Sequence, residues 1–448
     1  MDRSSSVYLT LPSNASLDYY PDNTLASFTV KIDPPLHLEG AYEVGLNLNR
    51  GLTALYVYAS VVQDRVVGDT RAPLLRMVPV KGKHVSNADD TNLAADADVG
   101  PENLLLHSLW SQMDLYLNDT LVTPSTNTYP YRAYLETLMS YGTDTKNTRL
   151  QNSLWYKDTK GHLEAAHNHN RGLQSRRRRV AESCVVELYG RPHLDLFQQD
   201  KLFVNGVALK MKLVRSRDAF CLHSNADGVA FKVKLVDVSL FVRKVKVAPS
   251  VQMAHALALE KGTAKYPVQR VVTKIFAVPQ GNMQINKENL FLGQLPQRLV
   301  IGLIHNQAFH GQYGRNPYNF LHLDVNYLAL HIDGRQIPAK PLTPDFARGL
   351  YARSYFTLFE AVGKSQGDEG NDITYDDYSE GYTLFAFDLT PDEAAGGGHA
   401  QLIKHGNLRL EIHFANPLPN TVNVVAHGEF QSLIEVDKHR NVLVDFST

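Results

Sequence analysis

The sequence has few of the features that tie a chain together covalently or anchor it in a membrane. It is 448 residues long but contains only two cysteines, Cys184 and Cys221, which cannot form a disulfide framework. No stretch reaches the roughly 18 apolar residues of a membrane-spanning helix, and the opening MDRSSSVYLTLPSN has no apolar signal core. We therefore expect a protein without a membrane span that stays in a reducing compartment and is not secreted through a signal peptide.

Neither sign of charge is in excess. The chain has 45 Lys and Arg residues against 46 Asp and Glu residues, a net charge of -1. As a whole it therefore offers no bulk attraction to nucleic acid or to an anionic membrane. Its length is too great for one ordinary core and suits two domains of about 200 residues each. We expect two domains whose charge effects are local.

The sequence also lacks the common motifs of catalysis and metal binding. It has no Gly-rich phosphate loop, no Gly-x-Ser-x-Gly elbow and no paired cysteines at zinc spacing. His162, His167 and His169 have no further ligand at a recognisable spacing, which favours a solvated loop. The acidic stretch from Asp368 to Glu380 has its glycine at the wrong position for a calcium loop. We predict no enzyme activity, no catalytic residues, no cofactor and no bound metal.

Two stretches half a chain apart repeat one local pattern. From Asn326 to Gly363 a strand with alternating apolar residues is followed by the turn Asp333-Gly334, a return strand and a helix with one apolar face. The stretch from Ser111 to Gly142 has the same order of elements. Within the two helices, Tyr134 of the earlier copy corresponds to Tyr355 of the later one. The repeat predicts two tandem domains of one fold.

The remaining pattern predicts an all-β chain with a few short helices. Short alternating strands such as Leu408 to Phe414 are separated by turn signals about every 8 to 12 residues, which is typical of antiparallel sandwiches. The jelly roll is the commonest eight-stranded sandwich, but the pattern alone does not choose it. Alternation from Phe231 to Val247 changes phase twice, which indicates bulges or a strand that passes between two sheets. Ser250 to Gly262 predicts a short helix, and we place the domain boundary there.

A polar loop follows each copy of the repeat, and the two loops carry opposite charge. Residues 143 to 182 contain nine basic residues against four acidic ones, whereas residues 364 to 380 contain one lysine against six acidic residues. We hypothesise that in a closed ring the first domain of one subunit meets the second domain of its neighbour, so that these loops fix the register. Two unrelated solvated loops are the alternative, and the arginine run could also be a nuclear signal, a protease site or a nucleic-acid contact. The residues expected to pair between subunits are Arg176, Arg177, Arg178 and Arg179 on one side and Asp368, Glu369, Asp372, Asp376 and Asp377 on the other.

The residues also carry a resemblance to a known family. It runs in order through about residues 48 to 448, and among its longest runs are VGPENLLLHSLWSQMDLYLNDTLVTPSTNTYPYRAYLETLMSYG, KVKLVDVSLFVRKVKVAPS and LIKHGNLRLEIHFANPLPNTVNV. These runs resemble the major capsid protein of Polinton (Maverick) elements and adintoviruses. The resemblance implies a double jelly-roll subunit, three copies of which form a pseudo-hexagonal capsomer of an icosahedral shell. It brings no catalytic residues to carry over.

The same resemblance implies partners and a location. The expected partners are further copies of this chain, first in a homotrimer and then between capsomers. Contacts with penton or minor capsid proteins are also considered, and no specific nucleic acid is expected. The resemblance implies a structural protein encoded by an endogenous viral or transposon copy. We expect it in the virion and, within the host cell, in the cytoplasm or nucleus.

The N-terminus departs from that family. The runs LTLPSNASLDYYPDNTLASFTVKI and EGAYEVGL resemble instead the start of a different protein of the same elements. We therefore expect the segment that opens the first jelly roll to be missing. The expected divisions are an atypical N-terminal segment at 1–46, a first jelly roll at 47–248, a connecting helix at 249–263 and a second jelly roll at 264–448.

Two other classes of function remain open from the sequence. A carbohydrate-binding or hydrolytic β-sandwich would need a cleft with aromatic residues and a pair of carboxylates. The chain has only two tryptophans, Trp110 and Trp155, both in the first half, which counts against this class. A host interaction or scaffold protein derived from a viral copy is the other alternative.

Overall fold

In a computed structural model of the protein, the described residues are 25–30, 41–46, 53–56, 74–77, 85–87 and 91–446, the last range with gaps at 166–168, 200, 202, 205, 227, 236–237, 246–247, 367, 369, 393–394 and 396–401. The described strands are β1 Leu25–Val30, β2 Ala41–Leu46, β3 Thr53–Tyr56, β4 Leu74–Met77, β5 Val85–Asn87, β6 Gly100–Pro101, β7 Trp110–Leu117, β8 Thr120–Leu121, β9 Leu188–Gly190, β10 Leu209–Arg215, β11 Leu222–His223, β12 Phe231–Val233, β13 Val238–Val245, β14 Ala264–Val278, β15 Gln284–Lys287, β16 Arg298–His305, β17 Val325–Ile332, β18 Arg335–Leu342, β19 Leu384–Asp388, β20 Leu408–Phe414, β21 Val422–Val436 and β22 Val442–Val444.

Short helices lie between these strands. The described α-helices are α1 Leu105–Ser108, α2 Tyr129–Ser140, α3 Thr143–Lys146, α4 Arg171–Val180, α5 Asp195–Gln198, α6 Asp218–Cys221, α7 Pro249–Lys261, α8 Asn306–Phe309, α9 Ala352–Ala361 and α10 Tyr375–Ser379. Two 3₁₀ segments lie at Arg149–Ser153 and Ala181–Ser183. Helix α7 corresponds to the helix that the sequence predicts between the domains.

The two halves of the chain have the same strand order. In the first half, two antiparallel sheets run β1-β13-β4-β9 and β2-β10-β7-β8, and in the second half β14-β21-β16-β19 and β15-β20-β17-β18. If the eight strands of these two sheets are counted along each half, both halves give 1-8-3-6 and 2-7-4-5. One further strand in each half, β3 on β13 and β22 on β21, adds to the first of these sheets. Apart from these additions, two four-stranded sheets with two Greek keys are the architecture of a jelly roll. We call β1 to β13 the first roll and β14 to β22 the second roll, and the prediction of two tandem β-sandwiches is confirmed.

The local sequence explains the regular parts of the rolls. Leu408, Leu410, Ile412 and Phe414 of β20 are buried, while the residues between them are partly exposed, as expected of a strand with one face on a core. The turn between β17 and β18 has positive φ angles of 49° at Asp333 and 83° at Gly334. Positive φ at both central residues is what a two-residue hairpin turn needs. The predicted hairpin is therefore present.

The predicted long strand from Phe231 to Val247 is divided between two sheets. Its first part, β12, pairs with β5 in a separate two-stranded sheet, and its second part, β13, pairs with β1 and β4. The passage from one sheet to the other accounts for the change in the phase of alternation. A further register shift lies between Arg243 and Val245, where β13 pairs with β3.

The N-terminal segment occupies a place that the sequence analysis does not expect. Strand β1 pairs with β13 from Leu25 opposite Arg243 to Val30 opposite Val238, and β2 pairs with β10. These two strands take the first and second positions of the first roll, which correspond to β14 and β15 of the second roll. The opening strands are thus present and come from residues before 47. Backbone pairing and a β-forming composition are enough for this role, so a segment that resembles another protein can fill it.

The two rolls are joined by a continuous core. Leu299, Ile301 and Leu303 of β16 point into the second roll, whereas Val300 and Ile304 point outward and belong to a core cluster that runs through the first roll. Strand β16 is therefore buried on both faces. At Gly302, on the outward face, an added Cβ would lie 2.5 Å from Cδ1 of Phe320, so the absence of a side chain lets this ring pack against the sheet.

Candidate functional site at the junction of the two rolls

Helix α2 lies between the rolls and is the centre of their junction. It follows Thr128, has Pro130 in its first turn, where the missing N–H is tolerated, and leaves helical geometry at Tyr141. Ten of its twelve residues are buried, which is far more than the single apolar face of a surface helix. The helix therefore has packing neighbours on nearly every side.

Aromatic side chains from the second roll cover part of α2. The ring of Tyr134 stacks on the ring of Tyr318 with centroids 4.1 Å apart, and Tyr131 lies 6.0 Å from both Tyr318 and Phe309. The hydroxyl of Tyr318 is 2.6 Å from Oγ of Ser108 in the first roll. Such ring pairs each contribute roughly 0.5–1.5 kcal/mol beyond the area they bury. The segment between β16 and β17 thus binds the second roll to α2.

A buried ionic group links α2 to strand β14. Nη2 of Arg132 lies 2.5 Å from Oδ1 of Asp195, and Nε of Arg132 lies 2.8 Å from Oε1 of Glu136. The same Asp195 oxygen accepts a hydrogen bond from the backbone N–H of Val271 at 3.2 Å. Burial acts to raise the pKa of Glu136, but the charge of Arg132 and the hydrogen bond with His193 hold it well below its usual range. Glu136 is therefore ionised and pairs with the Arg132 charge in the folded chain.

Arg176, the first residue of the predicted basic run, is buried within its own chain. It forms an ion pair with Asp158 at 2.8 Å, and both side chains are fully buried. Arg176 also donates to the carbonyls of Pro101 at 2.7 Å and Tyr156 at 2.6 Å. The other oxygen of Asp158 accepts from Nδ2 of Asn316 in the second roll at 3.1 Å. Arg176 thus stabilises the junction between the rolls and is not part of a solvated surface.

The other three arginines lie nearer the surface. Arg177 is 3.7 Å from Asp98, and Nη2 of Arg179 donates to the hydroxyl of Tyr156 at 3.2 Å. Arg178 is exposed. The basic run therefore divides into one buried residue and three outer ones, because successive residues of helix α4 point in different directions around its axis.

The acidic loop meets the basic loop inside one chain. Oδ2 of Asp377 lies 2.7 Å from Nζ of Lys157, and Asp376 lies 2.9 Å from Nζ of Lys160. Oδ1 of Asp372 accepts from the hydroxyl of Thr143 at 3.0 Å. The carboxylates are held in place partly because Thr374 and Asp377 form a capping box at the start of α10.

These contacts change the interpretation of the opposite loop charges. The loops are complementary, but the contacts in the chain are made by Lys157 and Lys160 and not by the arginine run. Asp368 is exposed, and Glu369 lies outside the described residues. In the sequence both lysines contribute only to the net charge of the loop, because no local pattern distinguishes them from the arginines. Pairing of these loops between subunits stays a prediction.

A buried lysine lies at the same junction. Nζ of Lys146 donates to the carbonyl of Leu138 at 2.8 Å and to that of Asn371, in the second roll, at 2.5 Å. Burial lowers the pKa of Lys146 to about 7. Carbonyl oxygens satisfy the ammonium hydrogens without a full counter-charge, so the charged form remains costly there.

The metal candidates do not form a site among the described residues. His162 and His169 stack with ring centroids 5.1 Å apart, and His167 lies outside the described residues. No group of three or more His, Cys, Asp and Glu side chains within the described ranges is arranged to hold a metal ion. Cys184 and Cys221 are both free thiols. Among the helices that the structure describes, none combines the length and apolar character needed to cross a membrane.

One cleft of about 520 Å³ lies where both rolls contribute loops. Its lining includes Leu163 and Glu164 from the first roll and His322, Asp324 and Glu380 from the second. Trp110 and Trp155 are buried elsewhere, so neither provides the exposed ring on which a sugar could stack. The cleft therefore gives the carbohydrate-binding alternative no specific support.

Known proteins are similar to this chain in sequence over much of its length and in fold over nearly all of it. No family model matches the sequence. A protein of Caenorhabditis elegans named "Uncharacterized protein F54H12.2" is 25% identical over 350 residues, which cover 77% of this chain and 81% of that protein.

Solved structures extend the similarity further. The Sputnik virophage structure from cryo-EM matches with a TM-score of 0.57 and 11% identity, covering 98% of this chain and 91% of that one. The mavirus major capsid protein matches with a TM-score of 0.53 and 11% identity over 98% and 92% of the two chains. The Faustovirus major capsid protein matches with a TM-score of 0.55 and 8% identity over 95% and 92%. Together with the strand order of both halves, these similarities show that the chain has a double jelly-roll fold.

Proposed function

We propose that this chain is a viral structural protein, the major capsid subunit, with a non-enzymatic role. The observation that carries the proposal is the repeated strand order, 1-8-3-6 and 2-7-4-5 in both rolls. Its support is the match of nearly the entire chain to structures that include major capsid proteins. The buried junction adds to this, because it makes the two rolls one building block.

The assembly that we propose is a pseudo-hexagonal trimer. Each chain holds two rolls of the same fold, so three chains arranged around one axis place six similar rolls in a closed ring. Such trimers would then tile an icosahedral shell through contacts between capsomers, with penton or minor capsid proteins as further partners. Its location is accordingly the virion, and before assembly the cytoplasm or nucleus of the host cell.

The lineage that we propose is that of Polinton elements and adintoviruses, in a copy of endogenous viral or transposon origin. The support is the sequence resemblance through residues 48 to 448. The N-terminal strands β1 and β2, whose sequence departs from that family, nevertheless complete the sheets of the first roll.

We also propose that the opposite charges of the two loops act between subunits. The exposed residues Arg178 and Asp368 are the members to test, because Arg176, Asp376 and Asp377 already have partners in their own chain. Arg178→Glu or Asp368→Lys alone should weaken the trimer, and the double variant should recover it because the pair is then restored with reversed sign. The dissociation constant of the trimer, measured by mass photometry, checks this. Equal constants for all four proteins would contradict the charge pairing.

The function is tested by purifying the full chain and measuring its mass and shape. The proposal predicts particles with three times the 50.1 kDa mass of the chain and a hexagonal outline in negative-stain electron microscopy. Higher concentration should yield sheets or shells of such particles. A monomer at every concentration and ionic strength would contradict the capsid role and favour a host scaffold protein.

A further inference from the structure

Helices α2 and α9 are the same element of the repeat in different surroundings. Each follows the fifth of the eight counted strands of its roll, which is β8 before α2 and β18 before α9. The alignment that places Tyr134 on Tyr355 also places Ser140, the last residue of α2, on Ala361, the last residue of α9. The same alignment places Arg132 on Arg353. Positions in the two helices can therefore be compared one by one.

The comparison shows one face that is buried in α2 and exposed in α9. Leu135 is 1% exposed, whereas its equivalent Phe356 is 47% exposed. Tyr129 is 5% exposed, whereas its equivalent Leu350, just before α9, is 59% exposed. Three further positions of this face show the same difference. Tyr131, Arg132 and Met139 of α2 are buried, whereas their equivalents in α9, Ala352, Arg353 and Glu360, are exposed.

In α2 this face is covered in part by the second roll of the same chain. The hydroxyl of Thr128 donates to the carbonyl of Thr273 on β14 at 3.2 Å, and the ring of Tyr131 contacts Phe309. Strand β14 is the first strand of the second roll and lies at the edge of its sheet. The contact is heterologous, because α2 of one roll meets the first strand of the next.

Helix α9 packs on β19 of its own roll, and among the described residues no second roll covers its exposed face. A contact that leads from one roll to the next can close into a ring only if the last roll meets the first roll of another copy. The first roll carries the equivalent of the cover, because β1 holds the same edge position in its sheet as β14. Each chain thus provides both halves of the missing contact.

We propose that the face of α9 bearing Leu350, Arg353 and Phe356 docks against the β1 edge of the first roll of a second copy of this chain, in the way that α2 docks against β14. This inference rests on the proposed trimer and names the surface that forms it. It also makes the N-terminal segment that supplies β1 part of the interface.

The first test uses Phe356→Asp and Leu350→Asp, with Leu292→Asp as the matched control. Leu292 is 77% exposed and lies outside α9, so it tests the effect of the charge alone. Mass photometry should show a trimer for the wild type and the control and a monomer for the two α9 variants, each with an unchanged circular dichroism spectrum. A wild-type trimer that persists in both α9 variants would overturn this inference and leave the capsid role intact. A wild-type monomer would overturn both.

The second test does not depend on the folding of a charged variant. A photoreactive benzoylphenylalanine replaces Phe356 in the full chain, and the irradiated trimer is digested and analysed by mass spectrometry. The expected cross-link joins position 356 of one copy to residues 25–30 or 238–245 of another, which isotope-labelled and unlabelled copies mixed before irradiation will reveal. Cross-links confined to one copy, or to other segments of the second copy, would overturn the proposal.

Discussion

Helices α2 and α9 show how the same piece of a repeat acquires two roles. In α2 ten of twelve residues are buried, and its aromatic and ionic side chains bind the second roll. In α9 only Ser354, Leu358 and Ala361 are buried, and the equivalent face is open. The difference lies in the neighbours, because α2 packs against the second roll, whereas no second roll among the described residues covers the open face of α9. The fold of each half is therefore set within that half, whereas the use of its helix depends on the neighbour.

The largest expected effect comes from removing the two strands that give the first roll the same eight-stranded order as the second. Deletion of residues 1–46 takes away β1 and β2, the first and second strands of the two sheets. We expect loss of the cooperative fold, because β13 and β10 would lose strand partners and expose unpaired backbone. Soluble yield and thermal unfolding by circular dichroism check this. A shortened chain that melts like the full one would show that the two rolls are not built alike.

The second prediction compares a pair at the centre of the junction with one at its rim. Asp158→Asn leaves Arg176 charged and buried without its counter-ion, which should lower the free energy of unfolding by about 3–5 kcal/mol. Asp376→Asn removes an exposed pair with Lys160 and should leave the free energy of unfolding nearly unchanged. Urea unfolding of both variants gives the comparison. Equal losses would contradict the central place given to Arg176.

The third prediction uses equivalent positions of the two helices. Leu135→Ala in α2 should lower the free energy of unfolding by about 2–5 kcal/mol, because it opens a cavity in the junction. Phe356→Ala in α9 should cost the monomer much less, since its side chain is half exposed. Both are measured in the Leu350→Asp background, where the chain is expected to be monomeric. Similar costs at the two positions would remove the contrast on which the interface rests.

The last prediction concerns the pH dependence of the junction. The pKa of Lys146 is about 7 in the folded chain against an ordinary value of 10.5, with Asp372 opposing and Lys157 and Lys364 adding to the decrease that burial causes. Between these two values the unfolded chain binds more protons, so the free energy of unfolding should rise with pH from about 7 to about 10.5. Lys146→Met should lose this rise. Parallel pH profiles for the two proteins would exclude a lysine with a lowered pKa.

Several features of the fold could be predicted because their causes are local. The hairpin at Asp333-Gly334 and the helix after it follow from turn chemistry and apolar spacing within one short stretch of the chain. Their repetition half a chain earlier was enough to predict two similar domains. The opposite charge of the two loops was also visible, since it needs only a count of residues.

Other features depend on contacts between distant parts of the chain. Strand β1 pairs with β13, which lies at the opposite end of the first roll's sequence, so that Leu25 is opposite Arg243. Nothing in the local sequence of so short a strand indicates such a distant partner. The burial of Arg176 depends on where α4 meets Asp158 and Pro101, although the run of arginines alone favours a solvated face. Likewise, the pairing of the loops within one chain follows from how the rolls dock and not from their charges.

The trimer and its α9 interface are tested together by the mass of the wild-type chain beside that of Phe356→Asp over a range of protein concentrations. We expect an assembly of three copies for the wild type and a folded single copy of 50.1 kDa for the variant. Trimers of equal stability in both proteins, or monomers in both, would contradict it.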